Sequence, residues 1–175
     1  MTFDERMEGT DEQDFLRTAL ASIPRTDGRW LGQTDFAVLR TLMLLAAVDG
    51  VVSRDEWDCF RSILGEYRDG VNGLTRETLW ESALHGAGYL VLQSQLLSRD
   101  DLIEAFADEA GTDFAGEMAV GSDDERRAAF SLLKRMAHAD GAFSDLERDC
   151  IRALERRIAE ERHRVHMHRY PHGIL

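Results

Sequence analysis

Two stretches of this chain repeat one another and decide its fold: AVLRTLMLLAAVDGVVSRDEWDCFRSIL at residues 37–64 and AAFSLLKRMAHADGAFSDLERDCIRALE at residues 128–155. They align without a gap at a spacing of 91 residues, and ten of the 28 aligned positions are identical. Unrelated sequences would share about two, at roughly 7% per common residue type. Each copy places apolar residues at helical spacing on both sides of an Asp-Gly corner, which predicts a helical hairpin. Because one hairpin cannot bury its apolar face alone, the two copies should pack together.

The rest of the chain also favours helices, and no segment shows sustained period-two alternation, so the predicted fold class is all-α. We expect one compact domain of about seven helices. Outside the hairpins, helices are predicted at Glu12–Ile23, at Arg76–Leu97 and from Ser98 to about Gly111, with a loop over Arg25–Gln33. Gly86 and Gly88 leave open whether residues 76–97 form one helix or two, since each glycine weakens a helix by roughly 1 kcal/mol relative to alanine.

The domain boundaries follow from composition. Residues 1–11 are acidic and poor in apolar side chains, which is typical of a flexible arm. Residues 12–162 form the predicted helical domain, with the repeated hairpins at about 34–67 and 125–158. Residues 163–175 form a His- and Arg-rich tail, which includes His163, His166, His168 and His172. This tail is expected to be a disordered basic segment that could pair with an acidic neighbour, and metal binding by its imidazoles is the alternative.

The overall charge excludes one class of function. The 175 residues carry a formal net charge of −12 and 43% apolar residues. Nucleic-acid binding needs a basic face to neutralise phosphates, so a nucleic-acid partner is not expected. The chain shows neither a leader peptide nor an apolar run of the roughly 18 residues needed for a membrane span. With Cys59 and Cys150 predicted to be free thiols, a cytoplasmic protein without membrane insertion is expected.

Both corners have the form Asp-Gly-x-x-Ser-x-x-Glu, at residues 49–56 and 140–147. Most of this motif has a structural explanation. The glycines supply the positive φ that ends the incoming helix. The serines cap the outgoing helix, and Glu56 and Glu147 complete capping boxes.

The two aspartates, Asp49 and Asp140, are harder to explain in that way. Each stands at the C-terminal end of a helix, where an anion faces the negative end of the macrodipole at a cost of roughly 0.3–1 kcal/mol. Both also continue an apolar stripe at i, i+3, i+7 and i+10, so we expect them to point inward. Burial of unpaired carboxylates is costly and calls for compensation. Backbone N–H groups, an arginine such as Arg61 or Arg152, or a bound cation with oxygen ligands could each supply it.

At these corners the sequence resembles the tellurite-resistance TerB family, which includes a TerB-like domain in certain membrane-anchored DnaJ co-chaperones. The resemblance rests on LLAAVDGVVSRDE and KRMAHADGAFSDLE and covers roughly residues 34–159. It implies a helical fold with two pseudo-symmetric acidic corners. It also implies a divalent-cation site formed by Asp49, Glu56, Asp140 and Glu147. The second copy has Leu146 where the first has Asp55, although corners of the family often carry an acid there.

The remaining candidate residues are explained by packing. The cysteines occupy equivalent positions, Cys59 and Cys150, which favours small buried thiols at helix contacts over a disulfide or redox pair. The tryptophans are expected to pack or to border a contact. Trp57 aligns with Arg148, so the two hairpins should differ in surface at that position.

These observations lead to three functional hypotheses. The first is a non-enzymatic binding module whose paired corners hold calcium, magnesium, zinc or manganese and whose surface engages a protein partner. That partner could belong to a membrane-associated complex, and the chain could also form a homo-oligomer. The resemblance implies a setting in stress response or in tellurite and metal-ion tolerance. The second hypothesis is a scaffold without a metal site. The third is a metal-dependent hydrolase, which no nucleophile, base histidine or substrate motif supports.

Overall fold

A computed structural model describes Thr18, Ile23 and residues 28–141 and 143–169. The described elements, in chain order, are β1 (Arg29–Trp30), α1 (Gln33–Ala47), α2 (Arg54–Leu64), β2 (Tyr67–Arg68), α3 (Arg76–Ser94), α4 (Arg99–Val120), α5 (Asp123–Ala137) and α6 (Asp145–Arg169). Helices dominate, which confirms the predicted all-α class and the compact single domain. The acidic arm lies outside the described residues. Of the predicted helix at 12–23, Thr18 is helical and Ile23 is buried.

Helix α1 forms the centre of the core. Ten of its fifteen residues are buried, and Leu39, Leu42 and Leu44 are fully enclosed. The helix packs against α3, α4 and α5, so apolar side chains are buried around most of its circumference. A helix that is apolar on several faces has to lie inside a domain. The first repeated stretch therefore supplies the element around which the other helices assemble.

The two hairpins also contact each other as predicted. Helix α5 of the second hairpin packs against both α1 and α2 of the first. The apolar positions that face inward in the two copies are equivalent. Leu42 and Leu133 are fully buried, and Phe60 and Ile151 of the outgoing helices are at most 5% exposed.

Helix α3 is continuous through Gly86 and Gly88, which settles the question that the sequence left open. A Cβ atom at Gly86 would lie 2.6 Å from Leu44 Cδ2 and 3.0 Å from Arg40 Nη2. The missing side chain therefore allows α1 to approach α3 closely. Arg40 joins the helices by donating to Ser82 Oγ at 3.0 Å and to the Glu109 carbonyl at 2.8 Å.

Helix α4 is longer than predicted. It was expected to end near Gly111, but it continues to Val120, with Phe114 and Met118 fully buried in its last part. Helix α6 runs parallel to α4. Two ion pairs show the shared direction: Arg99 pairs with Asp149 at 2.7 Å near the start of both helices, and Arg157 pairs with Asp108 further along both. Burial against neighbouring helices outweighs the roughly 1 kcal/mol that an internal glycine costs.

Helix α6 also extends beyond residue 162, where the predicted helical domain ends, and reaches Arg169. The first seven residues of the predicted tail are therefore helical, and the expectation of a disordered segment is wrong for them. Residues 170–175, which include His172, lie outside the described part.

A short parallel pair of strands replaces part of the predicted loop at 25–33. Arg29 pairs with Tyr67 and Trp30 with Arg68, and the Leu31 N–H donates to the Arg68 carbonyl at 2.9 Å. This pairing attaches the chain that enters α1 to the chain that leaves α2.

Candidate functional site

The first corner joins α1 to α2 through the motif at residues 49–56. Gly50 has a φ of +91°, as expected for a residue that ends a helix in the left-handed region. The Glu56 N–H donates to Ser53 Oγ at 3.2 Å, and the Ser53 N–H donates to Glu56 Oε2 at 2.7 Å. The Val51 N–H donates to Asp49 Oδ1 at 3.0 Å. The predicted glycine turn and capping box are both confirmed.

The second corner joins α5 to α6 and has the same local geometry. Gly141 has a φ of +86°. The Glu147 N–H donates to Ser144 Oγ at 3.1 Å, and the Ser144 N–H donates to Glu147 Oε2 at 2.8 Å. The sequence motif therefore determines the same capping hydrogen bonds twice.

The four predicted site residues differ in burial. Glu56 and Glu147 are buried, with 6% and 7% of their surface exposed. Asp49 and Asp140 are exposed, so the prediction that they point inward is wrong. The helices end at Ala47 and Ala137, and the aspartates lie in the following turns. The helical spacing that placed them on the apolar stripe does not apply beyond the last helical residue.

The carboxylates of the two corners nevertheless influence one another. Burial raises the pKa of Glu56 to about 7, although its hydrogen bonds to Ser53 oppose the rise, and the charges of Asp49 and Asp140 raise it further. Burial also raises the pKa of Glu147, and the same two aspartates add to that rise. The charges of the aspartates of both corners therefore raise the pKa of each glutamate.

Asp49 shows the same coupling. Desolvation by the surrounding corner raises the pKa of its carboxyl, even though the residue reaches the surface. The Val51 N–H opposes this rise, and the charge of Asp140 adds to it. The structure therefore brings all four predicted residues into one electronegative region, as the packing of two equivalent hairpins would require.

Backbone N–H groups provide part of the compensation that the burial of carboxylates requires. Glu56, Glu147 and Asp49 each accept a hydrogen bond from the backbone of their own corner. The two arginines considered as partners form ion pairs elsewhere: Arg61 lies 3.5 Å from Asp58, and Arg152 lies 3.2 Å from Asp149.

The present spacing of these carboxylates limits what they can hold directly. Among the side chains that the structure describes, no three His, Cys, Asp or Glu are grouped closely enough to hold a metal ion. The four carboxylates are thus near enough for electrostatic coupling, but they do not form a ready set of ligands.

The thiols agree with their predicted structural role. Cys150 is fully buried, and burial raises its pKa to about 12. Cys59 is half-buried, and burial raises its pKa as well, while a hydrogen bond from Arg135 opposes the rise. Both cysteines are free. A thiol becomes reactive when its pKa is lowered, so neither side chain is activated.

A cleft of about 390 Å³, which the sequence does not predict, lies beside the first turn of α1. Its polar groups include Arg29, Asp35 and Tyr67. Arg29 pairs with Asp35 and donates to Tyr67 Oη at 3.1 Å, so these groups satisfy one another. Burial raises the pKa of Tyr67 to about 12. The cleft forms where β1 pairs with β2, and no local sequence pattern predicts that pairing.

Comparison with models of known protein families found no match, and searches of curated proteins and of solved structures found none either. None of the helices within residues 28–141 and 143–169 has the combination of length and apolar character needed to cross a membrane.

Proposed function

We propose that this chain is a non-enzymatic, TerB-like binding module in which Asp49, Glu56, Asp140 and Glu147 bind a divalent cation. The observation that carries this proposal is that the charges of Asp49 and Asp140, one from each corner, act on the buried glutamates of both corners. The resemblance to the TerB family supports the same four residues.

The electrostatics favour a positive ligand. Two of the four carboxylates are buried, and each aspartate raises the pKa of both buried glutamates. An anion in such surroundings is costly unless an opposite charge offsets it. A divalent cation would offset the negative charge of both corners at once. Carboxylate oxygens are suitable ligands for calcium, magnesium or manganese, and zinc is a further candidate.

Capping does not use all the ligand capacity of the glutamates. The backbone hydrogen bonds engage the Oε2 atoms of Glu56 and Glu147. Each carboxylate has a second oxygen that can accept as well. Asp49 and Asp140 are exposed. Cation binding would therefore draw the side chains of the two corners closer together than they stand in the structure.

The resemblance also suggests the setting. We propose that the module engages a protein partner, in stress response or in tellurite or metal-ion tolerance, within a cytoplasmic or membrane-associated assembly.

One observation favours a second candidate, a scaffold without a metal site. The capping boxes account for both glutamates and both serines of the motif, and the described carboxylates do not form a ready ligand group. In that case the corners only terminate and start helices, and function resides in protein contacts alone.

Thermal unfolding with added calcium, magnesium, manganese or zinc separates the two candidates. A cation that binds only the native state raises the melting temperature, and a concentration of 100 times its Kd adds about 2.7 kcal/mol of stability. We expect such a rise for the natural chain and its loss in the double variant Asp49→Asn with Asp140→Asn.

The matched control is Asp58→Asn with Asp149→Asn. Asp58 and Asp149 are also equivalent in the two copies, and their substitution changes the net charge by the same amount. They differ from the corner aspartates in that they pair with Arg61 and Arg152. The control should keep the cation-dependent rise. If no ion changes the melting temperature, or if both double variants respond as the natural chain does, the cation site is wrong and the scaffold without a metal site is the correct candidate.

A further inference from the structure

The C-terminal end of α6 differs in charge from the rest of the molecule. Residues 162–169, the basic end, have the sequence RHRVHMHR and contain no carboxylate. They stand within a chain whose formal net charge is −12. The last buried side chain of α6 is Ile158. The helix continues for eleven more residues, or about 16 Å at 1.5 Å per residue, and none of the side chains described at 159–168 is buried.

A helical segment of this kind normally has a partner. Isolated helices shorter than about 12–15 residues are marginal in water, and most helical stability comes from packing. Met167 is 54% exposed on this segment, and Val120, at the end of the parallel helix α4, is 66% exposed. The basic end thus presents apolar as well as positive side chains to its surroundings.

The acidic groups nearest the basic end are engaged in surface ion pairs. Within α6, Arg164 lies 2.9 Å from Glu161, an exposed pair of a kind that contributes little stability and can exchange partners. Arg162 faces the first turn of α5, where its charge helps to lower the pKa of Asp123, after the larger effect of Arg126. Asp123 already forms an ion pair with Arg126, and Asp124 forms one with Arg127.

The opposite end of α6 carries the complementary charge. Residues 49–61 and 140–152, the corner end, contain eight carboxylates and four arginines. Helix α6 begins there at Asp145, about 36 Å from its last residue by helical rise. The Debye length at physiological ionic strength is about 8 Å, so each end acts through its local charge rather than through the net charge of the molecule.

We propose that the basic end of one copy binds the corner end of a second copy. The contact is head-to-tail, so each copy retains one free surface of each kind, and association produces open chains rather than a closed dimer. This interaction goes beyond the cation site and needs no metal. The exposed carboxylate of Asp55 can receive an arginine directly, and that of Asp145 can do so by exchanging its surface ion pair with Arg148.

Sedimentation velocity of the full chain in a buffer with a metal chelator tests the proposal. At about 25 mM salt the average mass should exceed the 19.8 kDa of one copy and rise steadily with protein concentration. At about 1 M salt, where the Debye length is about 3 Å, it should fall to that of one copy. The double variant Arg162→Gln with Arg164→Gln should weaken association about tenfold, because it removes two charged contacts between the copies.

The matched control is Arg54→Gln with Arg148→Gln. It changes the net charge by the same amount but makes the corner end more acidic, so association should be maintained or strengthened. Asp55→Asn with Asp145→Asn should weaken it while leaving the four proposed cation ligands intact. A single-copy mass under every condition, or equal loss in both arginine variants, would overturn the proposal.

The acidic residues 1–14 are the competing occupant of the basic end. Neutralising Asp11, Glu12 and Asp14 together, as amides, should leave association unchanged. If that variant weakens association and the Asp55 and Asp145 variant does not, the basic end binds the N-terminal segment instead, and the contact with the corner end is wrong.

Discussion

The two corners share eight-residue motifs and identical capping hydrogen bonds, yet their surroundings differ. At the first corner, a Cβ on Gly50 would lie 2.5 Å from Ser94 Oγ of α3. At the second, a Cβ on Gly141 would meet no described atom within 4 Å. One turn further on, Trp57 is buried, whereas its counterpart Arg148 is exposed. A repeated motif thus reproduces local structure, while neighbouring helices decide how deeply each copy is buried.

The largest expected difference lies between Trp57 and Arg148. Trp57 is 3% exposed and packs against Trp80 with ring centroids 5.6 Å apart. Trp57→Ala should lower the free energy of unfolding by about 3–5 kcal/mol through loss of burial and a residual cavity. Arg148→Ala should change it by about 0.5 kcal/mol or less, since Arg148 is exposed, where it pairs with Asp145 and contacts the Phe143 ring. Urea unfolding of both variants measures the difference, and equal losses would show that the hairpins are buried alike.

The second comparison is between two capping-box glutamates, Glu56 and Glu125, whose contributions to stability should depend on pH in opposite directions. Burial raises the pKa of Glu56 to about 7, so the folded chain binds a proton that the unfolded chain has released. Stability from this group is therefore greatest below about pH 4.5 and falls by up to about 3 kcal/mol as the pH rises through 7. Glu56→Gln should remove that part of the pH dependence.

Glu125 provides the control because it completes the capping box of Ser122 at an exposed position. Hydrogen bonds to Ser122 lower its pKa. Its contribution to stability therefore has the opposite sign: it is present at neutral pH and is lost as the pH falls below the ordinary range of a glutamate. Unfolding of the natural chain, Glu56→Gln and Glu125→Gln between pH 4 and 8 tests both signs. If Glu56→Gln loses as much stability between pH 5 and pH 8 as the natural chain does, the raised pKa of Glu56 is wrong.

The smallest difference is expected between the corner glycines. Both require positive φ, which costs an alanine about 1–2 kcal/mol. Gly50→Ala must also displace Ser94 Oγ from its 2.7 Å hydrogen bond to the Val91 carbonyl. We expect a loss of about 2–3 kcal/mol at Gly50 and about 1 kcal/mol at Gly141, measured by urea unfolding. The reverse order would mean that the second corner is the more constrained one.

These comparisons also show how far local patterns predict this structure. The capping serines, the corner glycines and the buried faces of both hairpins were predictable, because each depends on contacts within a few residues. The end of α4 at Gly111 and the inward direction of Asp49 and Asp140 were predicted incorrectly. The first error arose because burial of Phe114 and Met118 extends the helix, and the second because helical spacing does not continue into a turn.

The sequence alone determined the helical class, the repeated hairpins and the four carboxylates that make the corners acidic. Tertiary structure decided which carboxylates are buried, since the glutamates lie on helices that pack while the aspartates lie in turns that reach the surface. It also decided that charges 91 residues apart in sequence act on one another. Hydrogen bonds of a corner are set within eight residues, but desolvation and charge coupling depend on how distant segments of the chain pack together.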